Sequence, residues 1–329
     1  MDLLSIIGFI VIIYYLVYMI VPWFLDCDIN LALHEKFGKP ISSLQGKVVW
    51  ITGASSGIGE YLAYVLAEAG CKLILSARRE TELERVKANC LQKNANLQSS
   101  DIEILVMNVR DTNSHESAFN HIIAKFEKLD ILVSNAGCSQ RAEWEKIDIN
   151  VDKEMFDLNV FSHIALNRLV AKYFLNRGTG HFVITSSIAG IASVPFSATY
   201  CGTKHALHGY FNAFMIEKLG KNVQVTIACP GPIETNFLSQ AYTEQIGKTY
   251  GEEINKNSLN KLSPERCAIL MGIAIANGLT EVWISRARVL QLIYLRLYYP
   301  NIGSWIFRLL GPRFLQRLRD DKATIKQEQ

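Results

Sequence analysis

An α/β fold is predicted for this chain: Rossmann-like and doubly wound, with a mostly parallel seven-stranded sheet, helices on both faces, and an N-terminal transmembrane helix. Three observations predict it. Between Lys47 and Ser285 short β-branched or apolar runs alternate with longer runs of helical period, one of these short runs passes through a glycine-rich turn into a helix, and a long charge-free stretch opens the chain. Strands that alternate with crossover helices pair in parallel and bury both faces of their sheet.

The elements follow in chain order. From Leu3 to Leu25 there is no charge, and Asp2 and Asp26 bracket the run. As a helix it would be about 34 Å long, enough for a hydrocarbon core of about 30 Å. A cleaved signal peptide would want a basic start and a small-residue cleavage site, and Leu25-Asp26-Cys27-Asp28 offers no such site. Residues 1–25 are therefore expected to be a retained single-pass anchor. Lys36, Lys39 and Lys47 follow it and no basic residue precedes it, which leans toward a cytosolic domain without settling the membrane face.

Residues 26–45 read as a linker, and residues 46–285 as one domain. Its strands are expected at Val48 to Thr52, Lys72 to Ser76, Ile102 to Asn108, Ile131 to Ser134, Phe182 to Ser186, Val223 to Ala228 and Val282 to Ser285, with helices such as Gly59 to Ala69 and Met155 to Asn176 between them. Residues 286–329 form a basic amphipathic extension. Seven arginines and no acid lie between Arg286 and Arg319, although the whole chain of 329 residues carries a net charge of only +3. Positive charge confined to one end argues against a nucleic-acid surface and for anionic lipid headgroups. A dimer-forming or core-covering helix is the alternative, so a homodimer is the other partner the extension allows. The seven cysteines are scattered, without a C-x-x-C pair or ligand-spaced histidines, and no metal site is expected.

The strand Val48 to Thr52 runs directly into TGASSGIGE. Gly53, Gly57 and Gly59, with Ser55, Ser56 and Ile58, place backbone N–H groups at a helix start, where a pyrophosphate is favoured. After the second strand stand Arg78 and Arg79 and no carboxylate, which suits the extra phosphate of NADP(H) rather than free ribose hydroxyls. Asn135, Ala136 and Gly137 follow another strand as small residues close to a cofactor. Tyr200 and Lys204, spaced i, i+4, share a helix face, and Ser187 follows a strand. An ammonium beside a phenol favours the phenolate, so Lys204 is expected to lower the pKa of Tyr200.

Taken together, TGASSGIG, NAG, Asn159 in LNV, Ser187 with Tyr200 and Lys204, and Pro230-Gly231-Pro232 resemble the short-chain dehydrogenase/reductase superfamily over about residues 46 to 285. LSARR, Ser139-Gln140-Arg141 and ACPGPIETN look most like its membrane-anchored branch, dehydrogenase/reductase family member 7. The resemblance implies NADPH-dependent reduction of lipophilic carbonyls such as retinoids, steroids or xenobiotics, with the endoplasmic reticulum membrane as the expected location. It makes Tyr200 the proton donor, Lys204 its neighbour and a partner of the nicotinamide ribose, Ser187 the holder of the carbonyl, and Asn159 part of a proton route. Ile233 and Thr235 would touch the nicotinamide carboxamide, and Asn108, with Val109, would stand where an Asp usually holds the adenine amino group. Ser134 replaces an Asn that often precedes Asn-Ala-Gly.

Substrate selectivity is expected in Pro232 to Leu262. Phe237, Leu238, Tyr242 and Tyr250 either line an apolar pocket or pack without touching substrate, and Cys138 to Arg141 and Val194 to Phe196 could form its other walls. A membrane-bound cofactor sensor or scaffold without turnover is the alternative function. Loss of a catalytic residue would be its signature, and none is lost.

Overall fold

The computed structural model describes residues 2–251 and 260–320. Seven strands form one sheet: β1 (Val48–Thr52), β2 (Lys72–Ala77), β3 (Ile102–Val106), β4 (Ile131–Ser134), β5 (Gly180–Thr185), β6 (Val223–Pro230) and β7 (Glu281–Ile284). All neighbours pair in parallel in the order β3-β2-β1-β4-β5-β6-β7. The predicted fold is the observed one.

Side-chain alternation along β1 shows how the sheet serves two cores. Val49 and Ile51 face one side, with Leu62 and Leu66 of α3 (Gly57–Glu68), Leu83 and Val86 of α4 (Glu80–Lys93) and Met271 of α9 (Pro264–Asn277). Val48 and Trp50 face the other, with Ile122 of α5 (His115–Phe126), Val170 of α7 (Ser162–Arg177) and Phe211 of α8 (Ala198–Glu217). Successive strand residues point to opposite faces, so a strand covered on both sides must be apolar throughout, and all five residues of β1 are buried. Strand order reverses between β1 and β4, which opens a crevice beyond their C-terminal ends.

Two elements depart from the periodicity. Strand β5 begins at Gly180, before the predicted Phe182, because a side chain at 180 would lie 2.0 Å from the Phe174 ring and only glycine lets the strand start beneath α7. The expected continuous helix from Met155 is interrupted. Helix α6 (Ile149–Phe156) passes through one π-helical turn, Asp157–Phe161, before α7 begins at Ser162.

The expected linker is instead a folded cover for the sheet edge. Cys27 bridges antiparallel to Ile284, Asp28 N donates to Trp283 O at 2.8 Å, and the Asp28 carboxylate accepts from Trp283 N at 2.8 Å and caps α2 (Ile29–Phe37) through Leu31 N at 2.9 Å. Backbone groups on the edge strand β7 need partners, and this segment supplies them. Arg266 clamps it with a fork onto Asp26 at 2.7 and 2.9 Å and a pair with Glu35.

Helix α1 (Leu3–Ile20), capped by Asp2, is exposed from Leu3 to Val17, and the run Leu3–Phe24 is long and apolar enough to cross a membrane. At the other end α10 (Ala287–Tyr298) and α11 (Pro300–Asp320, bent at Gly311) fold back over the domain. Val289 and Ile293 pack with Ile188 and Ala192, so no break in packing falls at Ser285, and the core-covering alternative describes the inner face of the extension. Its outer face still exposes Ile302, Trp305 and Leu309. The final nine residues of the extension, 321–329, lie outside the described residues.

Candidate active site

The crevice at the sheet reversal is a cavity of about 850 Å³. Its cofactor end is shaped by backbone. Gly53 and Gly57 have φ of 69° and 60°, a region costly for residues with a side chain, and a Cβ on Gly53 would lie 2.8 Å from Ala136 Cα. Gly59 does not line the cavity but packs behind it, where a Cβ would meet Gly53 O at 2.4 Å. Asn135 ties the turn down: its Nδ2 donates to Thr52 O and Gly53 O at 3.2 and 3.3 Å, while Thr52 Oγ1 accepts from Asn135 N at 3.0 Å. Sequence reasoning did not single out Thr52, because one buried threonine at a strand end carries no spacing signal.

Helix α3 starts at this turn, and Ser56 at its N-cap makes no side-chain cap, so the first N–H groups of the helix remain for a ligand. The exposed Arg78 and Arg79 stand at the rim, with Arg79 Nη2 donating to Ser55 Oγ at 3.2 Å. Asn108 Oδ1 accepts from Arg110 N at 3.2 Å, which leaves one lone pair of that oxygen for the role expected of it. The cradle fits a dinucleotide phosphate: close backbone, open N–H groups and cations at one rim. Ser134 faces away, its hydroxyl accepting from Asn167 Nδ2 at 2.6 Å.

Further along the same cavity β5, α8 and the end of β6 bring together Ser187, Tyr200, Lys204, Pro230 and Gly231, with Ile233 and Thr235 beyond. Lys204 Nζ donates to Thr185 O at 2.7 Å and lies 5.7 Å from the centre of the Tyr200 ring. Ser187 Oγ donates to Pro230 O at 3.2 Å and accepts from Ala189 N at 3.1 Å. Asn159 sits on the π-helical turn behind the cavity, where its amide accepts from Cys138 N and donates to Cys138 O, both at 2.9 Å, and donates to Thr203 Oγ1 at 3.2 Å. A π turn puts that amide where a regular helix would not, a common device at working sites.

The electrostatics correct one expectation. Burial pushes the Tyr200 phenol up to about 12, and the Ser187 hydroxyl and the Arg141 guanidinium draw it down only in part. Burial likewise lowers the Lys204 amine to about 8. The phenol is therefore not acidified by its neighbour in the protein alone, because burial, the largest cause at both groups, disfavours both charged forms.

The substrate end draws on distant residues. Phe237 packs edge-on to Tyr200 with ring centres 6.1 Å apart, and Leu238 and Tyr242 also line the wall. Of the other predicted wall residues, Cys138, Ser139, Arg141, Val194 and Pro195 line the cavity, whereas Gln140 and Phe196 do not. Tyr250 is not among the lining residues, and 252–259 of the expected selectivity segment lie outside the described residues. Unforeseen are Val289, Leu292 and Ile293 from α10 and Phe307, Leu315 and Leu318 from α11, which close the apolar side.

The comparisons agree with this architecture. Residues 47–246 match the short chain dehydrogenase family. The chain is 42% identical over 299 residues to "Dehydrogenase/reductase SDR family member 7" of Mus musculus, covering 90% of this chain and 87% of that one. The Homo sapiens protein of the same name is 40% identical, over 89% and 86% of the two chains. Among solved structures, an alcohol dehydrogenase from Thermococcus sibiricus complexed with 5-hydroxy-NADP superposes with a TM-score of 0.64 at 23% identity, over 74% of this chain and 97% of that one. A short chain dehydrogenase/reductase from Burkholderia phymatum in complex with NAD gives 0.68 at 22% identity, over 78% and 94%. With a nucleotide cradle, a Ser-Tyr-Lys group in one cavity, and a family match over most of the domain, this chain belongs to the short-chain dehydrogenase/reductase family.

Proposed function

We propose that this oxidoreductase uses NADPH to reduce lipophilic carbonyl compounds, of the retinoid, steroid or xenobiotic kind, from a single membrane anchor, with the endoplasmic reticulum as its expected membrane. One observation carries the reading: Ser187, Tyr200 and Lys204 line the same cavity as the glycine turn, so a proton-bearing phenol stands where a carbonyl oxygen beside the cofactor could receive its proton. NADPH is favoured over NADH by Arg78 and Arg79 at the rim, where Ser55 orients one guanidinium.

When bound, the nicotinamide supplies the hydride. Ser187 orients the carbonyl oxygen by hydrogen bonding, and Tyr200 gives that oxygen its proton as negative charge develops there. Lys204, held by Thr185 O, would hold the ribose hydroxyls of a bound cofactor and keep a positive charge beside the phenol. Asn159 fixes the loop that bears Cys138, so the wall facing Lys204 keeps its shape. Apolar side chains of α10 and α11 exclude water from the substrate end.

Tyrosines join the proposed anchor to the pocket. Tyr18 lies 6.0 Å from both Tyr294 and Tyr298, and Tyr15 lies 6.1 Å from Tyr299. Helix α10 meets the anchor through these tyrosines and lines the cavity through Val289, Leu292 and Ile293, which supports a substrate drawn from the bilayer. The test is an assay of full-length protein with NADPH and with NADH against retinal, ketosteroids and aromatic ketones. Alcohol formed in step with NADPH consumed is the expected result. Tight NADPH binding with no turnover on any carbonyl would instead favour the sensor or scaffold reading.

A further inference from the structure

One buried polar cluster in the cavity wall is assigned no contact with the reacting atoms. Arg141 lies just after β4, whereas Arg319 and Asp320 end α11, and the fold joins them across a sequence separation of 179. Asp320 accepts from both guanidiniums: from Arg141 Nε and Nη2 at 2.8 and 2.6 Å, and from Arg319 Nε and Nη2 at 3.1 and 3.0 Å. Side-chain exposure is 7% for Arg141, 14% for Arg319 and 2% for Asp320.

Among the described residues two cations thus share one carboxylate, and the cluster they form carries a net positive charge out of water, which is costly unless a counter-charge arrives. Its effect is visible on Arg319, whose pKa burial and the nearby Arg141 both lower. Acceptors are also short. Arg141 Nη1 is taken up by Ser139 Oγ, Gln140 O and Ser197 Oγ, and Arg319 Nη1 donates to the same Ser197 Oγ at 2.9 Å, but one N–H on Arg141 Nη2 and one on each terminal nitrogen of Arg319 find no acceptor among the described residues. Around the cluster the wall is hydrocarbon, from Leu315 and Leu318.

We propose that Arg141 and Arg319, organised by Asp320, form a carboxylate-binding subsite, so that the carbonyl substrate is an amphipathic acid with an apolar body and a carboxylate remote from the reacting carbon. This rests on the reductase reading for its carbonyl and on the cluster alone for its anion. Charge-assisted N–H···O bonds to two guanidiniums would complete the surplus donors and cancel the surplus charge.

The test uses full-length protein in detergent and two ligands that cannot be reduced: a long-chain saturated fatty acid and its methyl ester, with affinities measured by calorimetry. The acid should bind at least about tenfold more tightly than the ester, a difference of about 1.4 kcal/mol. Arg319→Met should remove most of that ratio and Arg319→Lys should retain most of it. Equal or weaker binding of the acid by the unaltered protein overturns the proposal whether or not the variants fold, as does a ratio that Arg319→Met leaves unmoved. Acid-selective binding in a protein that turns over no carbonyl would leave the subsite standing and remove only the reductase reading.

Discussion

The two ends of the cavity are built in opposite ways. At the cofactor end the glycine turn, the start of α3 and the Asn-Ala-Gly loop lie within or beside single strand–turn–helix units, and backbone does most of the shaping. At the substrate end the wall is made of side chains from the loop after β4 and from α8, α10 and α11, held by contacts such as Arg141 with Asp320. The lesson is that a phosphate cradle can be specified locally, whereas a substrate wall is a tertiary product. Tyr200 and Lys204 stand where the two ends meet.

The largest expected effect is at that junction. Tyr200→Phe should lower kcat by about 10²- to 10⁴-fold, the usual worth of general acid catalysis, with NADPH affinity retained in a fluorescence titration. Turnover that survives intact would break the division of labour. At the cofactor end Gly59→Ala sets a methyl group against Gly53 O at 2.4 Å, a backbone atom that Asn135 holds in place. Overpacking of this kind costs about 1–3 kcal/mol, and the loss should appear in cofactor affinity, as a rise in Kd for NADPH and NADH alike.

A smaller and more selective effect is expected at the rim. Arg79→Ala should reduce the preference for NADPH over NADH by about tenfold, as for one charged hydrogen bond, without altering the relative use of different carbonyls. A change in carbonyl preference would show that the two ends are less separate than the geometry implies.

The last effect falls on stability rather than on activity and concerns the buried amine in protein without cofactor. The folded-state pKa of Lys204 is about 8, below its ordinary 10.5, so between these values the unfolded chain binds a proton that the folded protein does not. Stability contributed by this group therefore rises with pH from about 8 to 10.5 and is flat below that window. Denaturant unfolding of the unaltered protein and of Lys204→Met should differ by a term that grows across that window. A difference independent of pH would mean that the amine is already neutral or well solvated.

Legibility followed the same division. The strand at Val48 to Thr52, the glycine turn and the Tyr200–Lys204 pair were all readable because their spacing is local and repeats the geometry of strand and helix. The linker reading fails because a short run of mixed polar and apolar residues says nothing about the open edge of β7 waiting beside it. The raised pKa of Tyr200 was missed for a related reason: the spacing that brings the amine near also buries it, and burial acts on both groups more strongly than they act on each other.

What the sequence determined by itself is the parallel sheet, the cradle, the Ser-Tyr-Lys group and the apolar N-terminal helix, since each rests on periodicity or on backbone freedom within a few residues. Tertiary structure alone decided that Asn159 sits on a π turn, that residues 26–45 cover the sheet edge, and that Arg319 and Asp320 close the pocket against Arg141. Those outcomes depend on which distant groups lose their water together, and burial of that kind is a property of the packed chain rather than of any stretch of it.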